Sequence, residues 1–283
     1  MPSFLLHQNM AGFGGANAVR NAAFHESFRD IQTSLQPGCL IDVAGFTGIV
    51  NHTTAPDILA GLSTSLMALP ATFPPSLYTV ACGRRTRLAA QEYISIAVRP
   101  PWVPCAAGRI LLDASGKRDT LFHDPSPAIP PKPSWANILP ARASPGQPGL
   151  VYVIITNGLV KLAVGFLRNR STHPSVRGRV RLRIAHMLRM LGRHPLAPAI
   201  SYIGGGFNVP PAKVETATIG RAFAYAVGPT TMEGHTSDYW YCEVNPFLPV
   251  GLPPGFIVPV PSLGAAALGP TRSNHAACLL RVI

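Results

Sequence analysis

Four short segments end or begin strand-like apolar runs and carry side chains suited to holding a phosphate ester. Asn9 follows Phe4-Leu5-Leu6-His7-Gln8, and Asn208 closes Gly204-Gly205-Gly206-Phe207-Asn208. Asp238 opens the pair Asp238-Tyr239, and His275 closes Ser273-Asn274-His275. Amide groups donate to phosphate oxygens, and a carboxylate beside a histidine fixes its tautomer and favours its charged form. Each residue also has a plain role: an Asn after glycines forms turns, Asp238 can cap a strand, and His275 can be an ordinary rim histidine. Joint order and strand-end placement carry the chemical reading. Other chemistries lack their signatures. The glycines at Gly12, Gly14 and Gly15 are not followed by the Gly-Lys-Ser/Thr of a phosphate loop. The five cysteines form no Cys-x-x-Cys pair and no two histidines have the His-x₃₋₅-His spacing, which argues against a zinc site and a disulfide framework.

In order and spacing these segments resemble the endonuclease/exonuclease/phosphatase superfamily, whose motifs usually read Gly-Asp-Phe-Asn, Asp-Tyr and Ser-Asp-His. Members hydrolyse phosphodiesters or phosphomonoesters with a divalent metal. The resemblance implies an α/β fold, a four-layer sandwich of two mixed, mostly antiparallel β-sheets packed face to face with helices outside. Its site would lie at the strand ends along one rim. Asn9 matches the opening Asn; Asn208, Asp238 and His275 match later catalytic positions. Three positions are substituted. Gly206 replaces the Asp that orients the attacking water, and Asn274 replaces the Asp of the last motif. Val43, in Leu40-Ile41-Asp42-Val43-Ala44, stands where a metal-holding Glu is expected. Asp42 is the adjacent candidate metal ligand, but a one-residue shift along a strand aims a side chain at the opposite face unless a bulge intervenes. After Val151–Thr156 a Thr-His ending is expected, and Asn157 or Gly158 occupies the place of the His. The amides and the His braced by an Asp can still hold a phosphate, while the acids that would hold Mg²⁺ and orient water are missing.

Charge points to the partner. The net charge is +12, yet between Asp124 and Glu215 there is no acidic residue and there are twelve Lys and Arg. Eight of the twelve are arginines between Arg168 and Arg193, including Arg168, Arg170, Arg177, Arg179, Arg181 and Arg183. Arginine suits bidentate phosphate contacts, and a field this lopsided attracts polyanions. An Arg-rich solvated face is the plain alternative. The expected partner is nucleic acid, DNA ahead of RNA, or another phosphate polyanion.

These segments need elements to position them. With 283 residues, 47% apolar and 13% charged, the chain can bury a substantial core, and residues 1–283 read as one domain. Thirty prolines and 26 glycines imply many loops, and eight of the prolines fall in 125–149, a long surface loop. Strands are expected at Phe4–Leu6, Cys39–Ala44, Tyr93–Val98, Val151–Thr156, Ala199–Ile203, Ala222–Val227, Asp238–Val244 and Ala276–Val282, with a hairpin joining Ile110–Leu112 to Thr120–Phe122. Helices are expected around Val19–Leu35, Pro56–Met67 and Val176–Leu191, the last with Val180, Ile184, Met187, Leu188 and Leu191 inward. No apolar run is long enough to span a bilayer and no secretory signal is evident at Met1–Asn9, so an intracellular place, cytoplasm or nucleus, is favoured.

The sequence therefore supports a nuclease-like protein that binds nucleic acid or another phosphorylated partner with impaired or absent hydrolysis. An active Mg²⁺-dependent endonuclease or phosphodiesterase, with Asp42 recruited to the metal, is the alternative. A non-catalytic protein-interaction scaffold is the alternative of another class.

Overall fold

The computed structural model describes residues 3–13, 40–49, 76–84, 91–99, 101–111, 122–124, 149–168, 184–185, 187–208, 210, 222–225, 231, 234–244, 257–259 and 278–282. Its strands are β1 Ser3–Phe13, β2 Leu40–Ile49, β3 Ser76–Arg84, β4 Gln91–Val98, β5 Val103–Leu111, β6 Phe122–Asp124 and β7 Gly149–Thr156. They continue with β8 Lys161–Arg168, β9 Ile200–Gly206, β10 Ala222–Tyr225, β11 Asp238–Val244, β12 Ile257–Pro259 and β13 Cys278–Val282. Two mixed sheets result, ordered β12-β13-β1-β2-β4-β3 and β10-β11-β9-β8-β7-β5-β6. Only β1 with β2 and β8 with β9 run parallel among the described pairs. The expected two-sheet, mostly antiparallel α/β architecture is therefore what the chain forms.

The apolar runs explain the layering of side chains. Because alternate residues in a strand face opposite ways, a run that is apolar throughout is buried on both faces. In β7, Val151, Val153 and Ile155 enter a core shared with Leu5, Val43, Ile94, Ile96, Val98 and Leu280 of the six-stranded sheet. Leu150, Tyr152 and Ile154 face the other way. There they meet Ile184, Met187, Leu188 and Leu191, spaced as one face of the helical backbone at 184–185 and 187–192. That segment is the described part of the helix expected over Val176–Leu191. The helices expected at Val19–Leu35 and Pro56–Met67, and the loop 125–149, lie outside the described residues.

Two contacts stitch the sheets near β11. Trp240 Nε1 donates to the Cys278 carbonyl at 3.1 Å, and the Cys278 thiol contacts the Asp238 carbonyl at 3.4 Å. Near the start of β2, Arg99 Nη2 pairs with Asp42 Oδ1 at 2.6 Å and the Arg99 amide donates to the Asp42 carbonyl at 2.8 Å. This clamp holds the segment by which the chain leaves β4 of one sheet for β5 of the other.

Three features depart from the sequence-based elements. β1 and β2 are longer than expected, running on to Phe13 and Ile49. β3, β8 and β12 have no counterpart among the expected strands. β8 follows β7 through a tight hairpin, with Thr156 paired to Lys161. Gly158 takes φ +89°, and Asn157 Oδ1 accepts the amides of Leu159 and Val160 at 3.0 Å each. Asn-Gly between two apolar runs is a strong hairpin signal, since the turn needs positive φ. Among the described residues, no helix is long and apolar enough to cross a membrane.

Candidate functional site

β1 and β2 lie parallel with Leu5 opposite Val43, His7 opposite Gly45 and Asn9 opposite Thr47. Since Leu5 and Val43 enter the core between the sheets, the alternating pattern puts His7, Asn9, Gly45 and Thr47 on that same face, nearer the rim. His7 Nε2 lies 3.1 Å from Thr47 Oγ1, and the His7 ring stacks on Phe166 of β8 with centroids 6.2 Å apart. A Cβ on Gly45 would overlap the Phe166 ring, so the aromatic side chain occupies the space a glycine leaves in β2.

The opposing sheet supplies the second half of the rim. Antiparallel pairing puts Asp238 opposite Gly206, and parallel pairing puts Arg168 opposite Gly206 on its other side. Arg168, Gly206 and Asp238 thus form one row across β8, β9 and β11. Across the gap, Asn9 Nδ2 donates to Asp238 Oδ1 at 3.4 Å, while Ser237 Oγ donates to Asp238 Oδ2 at 2.9 Å. Asp238 is fully buried. The absence of a side chain at Gly206 permits this closure: a Cβ there would lie 3.0 Å from Asp238 Oδ1 and 3.1 Å from Asn9 Nδ2. Asp238 also bears on Cys278, whose thiol is pushed well above its usual range, first by burial and then by the carboxylate.

Asn208 sits just past β9 with φ 53°, a left-handed conformation that Asn tolerates better than most residues. The preceding Phe207 anchors the turn. Its amide donates to the Ser237 carbonyl at 2.7 Å, and its buried ring stacks on Tyr239 with centroids 4.2 Å apart.

The structure thus brings together Asn9, Gly206 and Asp238, with Asn208 two residues beyond Gly206 and Arg168 in register beside it. It places Val43 elsewhere. Val43 lies opposite Leu5 and Val98 in the core, and the β2 residue level with Asn9 on its face is Thr47. Asp42 is the extra residue where the β1–β2 register shifts between Phe4–Ile41 and Leu5–Val43, so strand alternation does not assign its face; its carboxylate is engaged by Arg99. The Asn157-Gly158 turn lies at the far end of the seven-stranded sheet from Gly206, because β7 runs antiparallel to β8. The strand that reaches the rim there is β8, ending at Arg168. Asn274, His275, Arg170, Arg177, Arg179, Arg181 and Arg183 lie outside the described residues. Sequence reasoning missed Thr47, His7 and Ser237. The first two become visible by counting in twos from Leu5 once β1 and β2 are paired in parallel; Ser237 has no comparable signal.

A divalent metal such as Mg²⁺ takes oxygen ligands and is held by one or two carboxylates together with waters and substrate phosphate. Among the described residues no three of His, Cys, Asp and Glu converge. The described rim has one carboxylate, buried and with each oxygen accepting a protein hydrogen bond. This donor set does not fit the metal.

Comparison with solved structures gives the fold. The endonuclease/exonuclease/phosphatase from Bacteroides vulgatus superposes with a TM-score of 0.61 at 12% identity, covering 100% of this chain and 99% of that one. The human Nocturnin catalytic domain with bound sulfate gives 0.60 at 9% identity, over 99% and 93%. D. rerio TDP2 complexed with a single-strand DNA product gives 0.57 at 11% identity, over 99% and 98%. No protein-family model matches the sequence. No curated protein matches it either. The chain is similar to endonuclease/exonuclease/phosphatase proteins in fold, with a nuclease or phosphatase type of architecture.

Proposed function

We propose that this chain, built on the endonuclease/exonuclease/phosphatase fold, binds nucleic acid through its phosphates, DNA ahead of RNA, and does not hydrolyse it. One observation carries the reading: Asn9 and Asp238 meet directly over Gly206. Hydrolysis in water needs a group that orients the nucleophile and a counter-charge for the developing phosphorane-like oxygens. Here the position facing Asn9 and Asp238 is a glycine, and the β2 position level with Asn9 is a threonine. The amide and carboxylate satisfy one another, so the carboxylate is spent on structure.

Binding has independent support. Twelve basic and no acidic residues lie between Asp124 and Glu215, which supplies a one-signed field for counterion release. Among proteins of this fold, TDP2 is seen with single-strand DNA and Nocturnin with a sulfate anion, both anionic oxygen ligands. Mg²⁺ is not needed for such binding.

The test is a plasmid-nicking assay beside a binding assay. Supercoiled DNA should stay intact with Mg²⁺ or Mn²⁺, while labelled DNA should bind in EDTA with affinity that falls steeply with salt. Neutralising Arg177, Arg179, Arg181 and Arg183 together should lower the log–log salt slope by up to about 3.6, because each neutralised phosphate contributes about 0.9 to it. Metal-dependent nicking that disappears in Asp238→Ala would establish an active nuclease instead. Absence of both nicking and binding would leave the scaffold role.

A further inference from the structure

The large hydrophobic side chains exposed among the described residues, Leu159 at 95% and Val103 at 58%, both lie at the end of the seven-stranded sheet opposite Gly206. A leucine exposed alone needs no explanation, but this one is held out on a braced loop. Thr156 Oγ1 donates to the Val160 carbonyl at 3.0 Å and accepts the Gly158 amide at 3.1 Å. Asn157 Oδ1 holds the next two amides, and the Asn157 amide reaches the Val160 carbonyl at 3.4 Å. Leu159 is thus the tip of a preordered turn, and burying it against a partner costs little further backbone ordering. Behind it, Val103, Thr156 and Lys161 form one row across β5, β7 and β8. Alternation from Tyr152 and Ile154 puts this row on the outer face of the sheet, where Val103 and Lys161 are both exposed.

We propose that this tip docks on an anionic lipid surface, with Leu159 entering the apolar boundary and Lys161 meeting the headgroups beside Val103. Depth and charge both choose this partner. Lys161 stands two residues behind Leu159, at most about 7 Å along the chain, and interfacial elements sink about 5–10 Å. The apolar tip and the ammonium therefore fall at successive levels of one interface, and the lysine stem can lie along its apolar side. Residues 193–199 lead from the helix back to this end, where the Ala199 amide donates to the Lys161 carbonyl at 2.7 Å, and they carry the exposed Arg193. The described acids at this end are Asp42, buried against Arg99, and Glu243, on β11 two strands from β8. Lys161 and Arg193 belong to the stretch between Asp124 and Glu215 that holds no acid, so the tip's own stretch is one-signed and complements anionic lipid. The tip and the Gly206 row lie at opposite ends of β8, about 23 Å apart, so docking is independent of the nucleic-acid binding proposed above.

The probe is a vesicle of phosphatidylcholine and phosphatidylserine, sedimented with the full chain beside vesicles of phosphatidylcholine alone. The protein should sediment with the first far more than with the second, and less as salt rises. Leu159→Ser should weaken that binding about tenfold, the loss of one buried leucine side chain. Lys161→Gln should weaken it about fivefold, the loss of one charge at the surface. Because Leu159 is exposed, Leu159→Ser should keep the wild-type urea midpoint and bind DNA as the wild type does. Leu159→Trp should keep the lipid affinity, and its added emission should shift to the blue on vesicles and be quenched by brominated lipid. Full lipid affinity in Leu159→Ser, or an unshifted added emission from vesicle-bound Leu159→Trp, overturns the docking and leaves only charge adsorption by the basic stretch. Equal sedimentation with both vesicles overturns the anionic lipid. Loss of DNA binding in Leu159→Ser overturns the docking by making the tip part of the nucleic-acid surface. Failure of the wild type to sediment with either vesicle overturns it while leaving the nucleic-acid reading intact.

Discussion

Replacing Gly206 by Asp puts back the acid that motif resemblance calls for, and the structure says that the protein should resist it. The new Cβ would lie 3.0 Å from Asp238 Oδ1 and 3.1 Å from Asn9 Nδ2, so both side-chain ends must yield by a few tenths of an ångström. Asn at 206 measures that steric cost, about 1–3 kcal/mol for an overpacked buried site. Asp adds a second negative charge near a buried carboxylate. At about 4 Å and an effective dielectric of about 20 the repulsion is about 4 kcal/mol. The carboxyl that holds its proton longer in the folded state is stabilising only while protonated. The excess cost of Asp over Asn is therefore absent below about pH 4, where the unfolded carboxyl is also protonated, and grows as the pH rises. Urea unfolding followed by the fluorescence of the buried Trp102 and Trp240 reads it directly. At about pH 8 in EDTA, Gly206→Asp should unfold about 2–4 kcal/mol more easily than Gly206→Asn, and the two should converge toward about pH 4. Equal midpoints at the higher pH would refute the Asn9–Asp238 geometry. A midpoint raised by Mg²⁺ in Gly206→Asp alone would show that a metal site needs only this one acid, since a ligand that binds the folded state stabilises it.

Asp42→Asn leaves the Arg99 guanidinium, only 10% exposed, without its counter-charge, and should cost about 3–5 kcal/mol in the same unfolding assay without altering DNA affinity. An Asp42 that served the rim would show the reverse pattern. Cys242 and Cys278 both titrate well above the usual thiol value of 9.0, chiefly because burial disfavours the thiolate. The unfolded chain therefore releases these protons first, and stability falls as pH rises above 9.0. Cys278→Ala should remove about 1.4 kcal/mol per pH unit from that alkaline slope, read as the difference from wild type across a pH series of urea titrations.

The fold was legible because it depends on apolar runs and their order, which survive when site side chains change. Val151–Ile155 reads as a strand buried on both faces whatever the loops carry, and Ile184, Met187, Leu188 and Leu191 read as one helix face. The site was harder, because it depends on register. Val43 and Thr47 lie on the same face of the same strand, two steps of two apart, and periodicity alone cannot choose between them. Pairing chooses: Asn9 lies opposite Thr47. The Thr-His position slipped for a different reason. Val151–Thr156 is the more conspicuous strand, but it runs away from the rim, and Lys161–Arg168 returns to it after the Asn157-Gly158 turn. Gly45 was unreadable as a site feature, since only the Phe166 ring packed against it explains the missing side chain.

The three glycines before Phe207 are best understood through their neighbours. A Cβ on Gly204 would press on the Trp240 ring at 2.8 Å, and one on Gly205 would run into the Leu167 carbonyl oxygen. Those two glycines let β9 pack closely against β8 and the indole that bonds Cys278. Gly206 extends the same close approach to the rim, where its neighbours are the Asn9 amide and the Asp238 carboxylate. The missing side chain at 206 and the closure of Asn9 onto Asp238 are then one physical arrangement. Without a side chain at 206 the buried carboxylate finds its donor in Asn9, and an uncompensated buried charge would cost several kcal/mol. Once Asn9 and Asp238 have met, restoring the acid opposes both packing and charge. An acid at this position is therefore set against stability, and Gly206→Asp measures by how much.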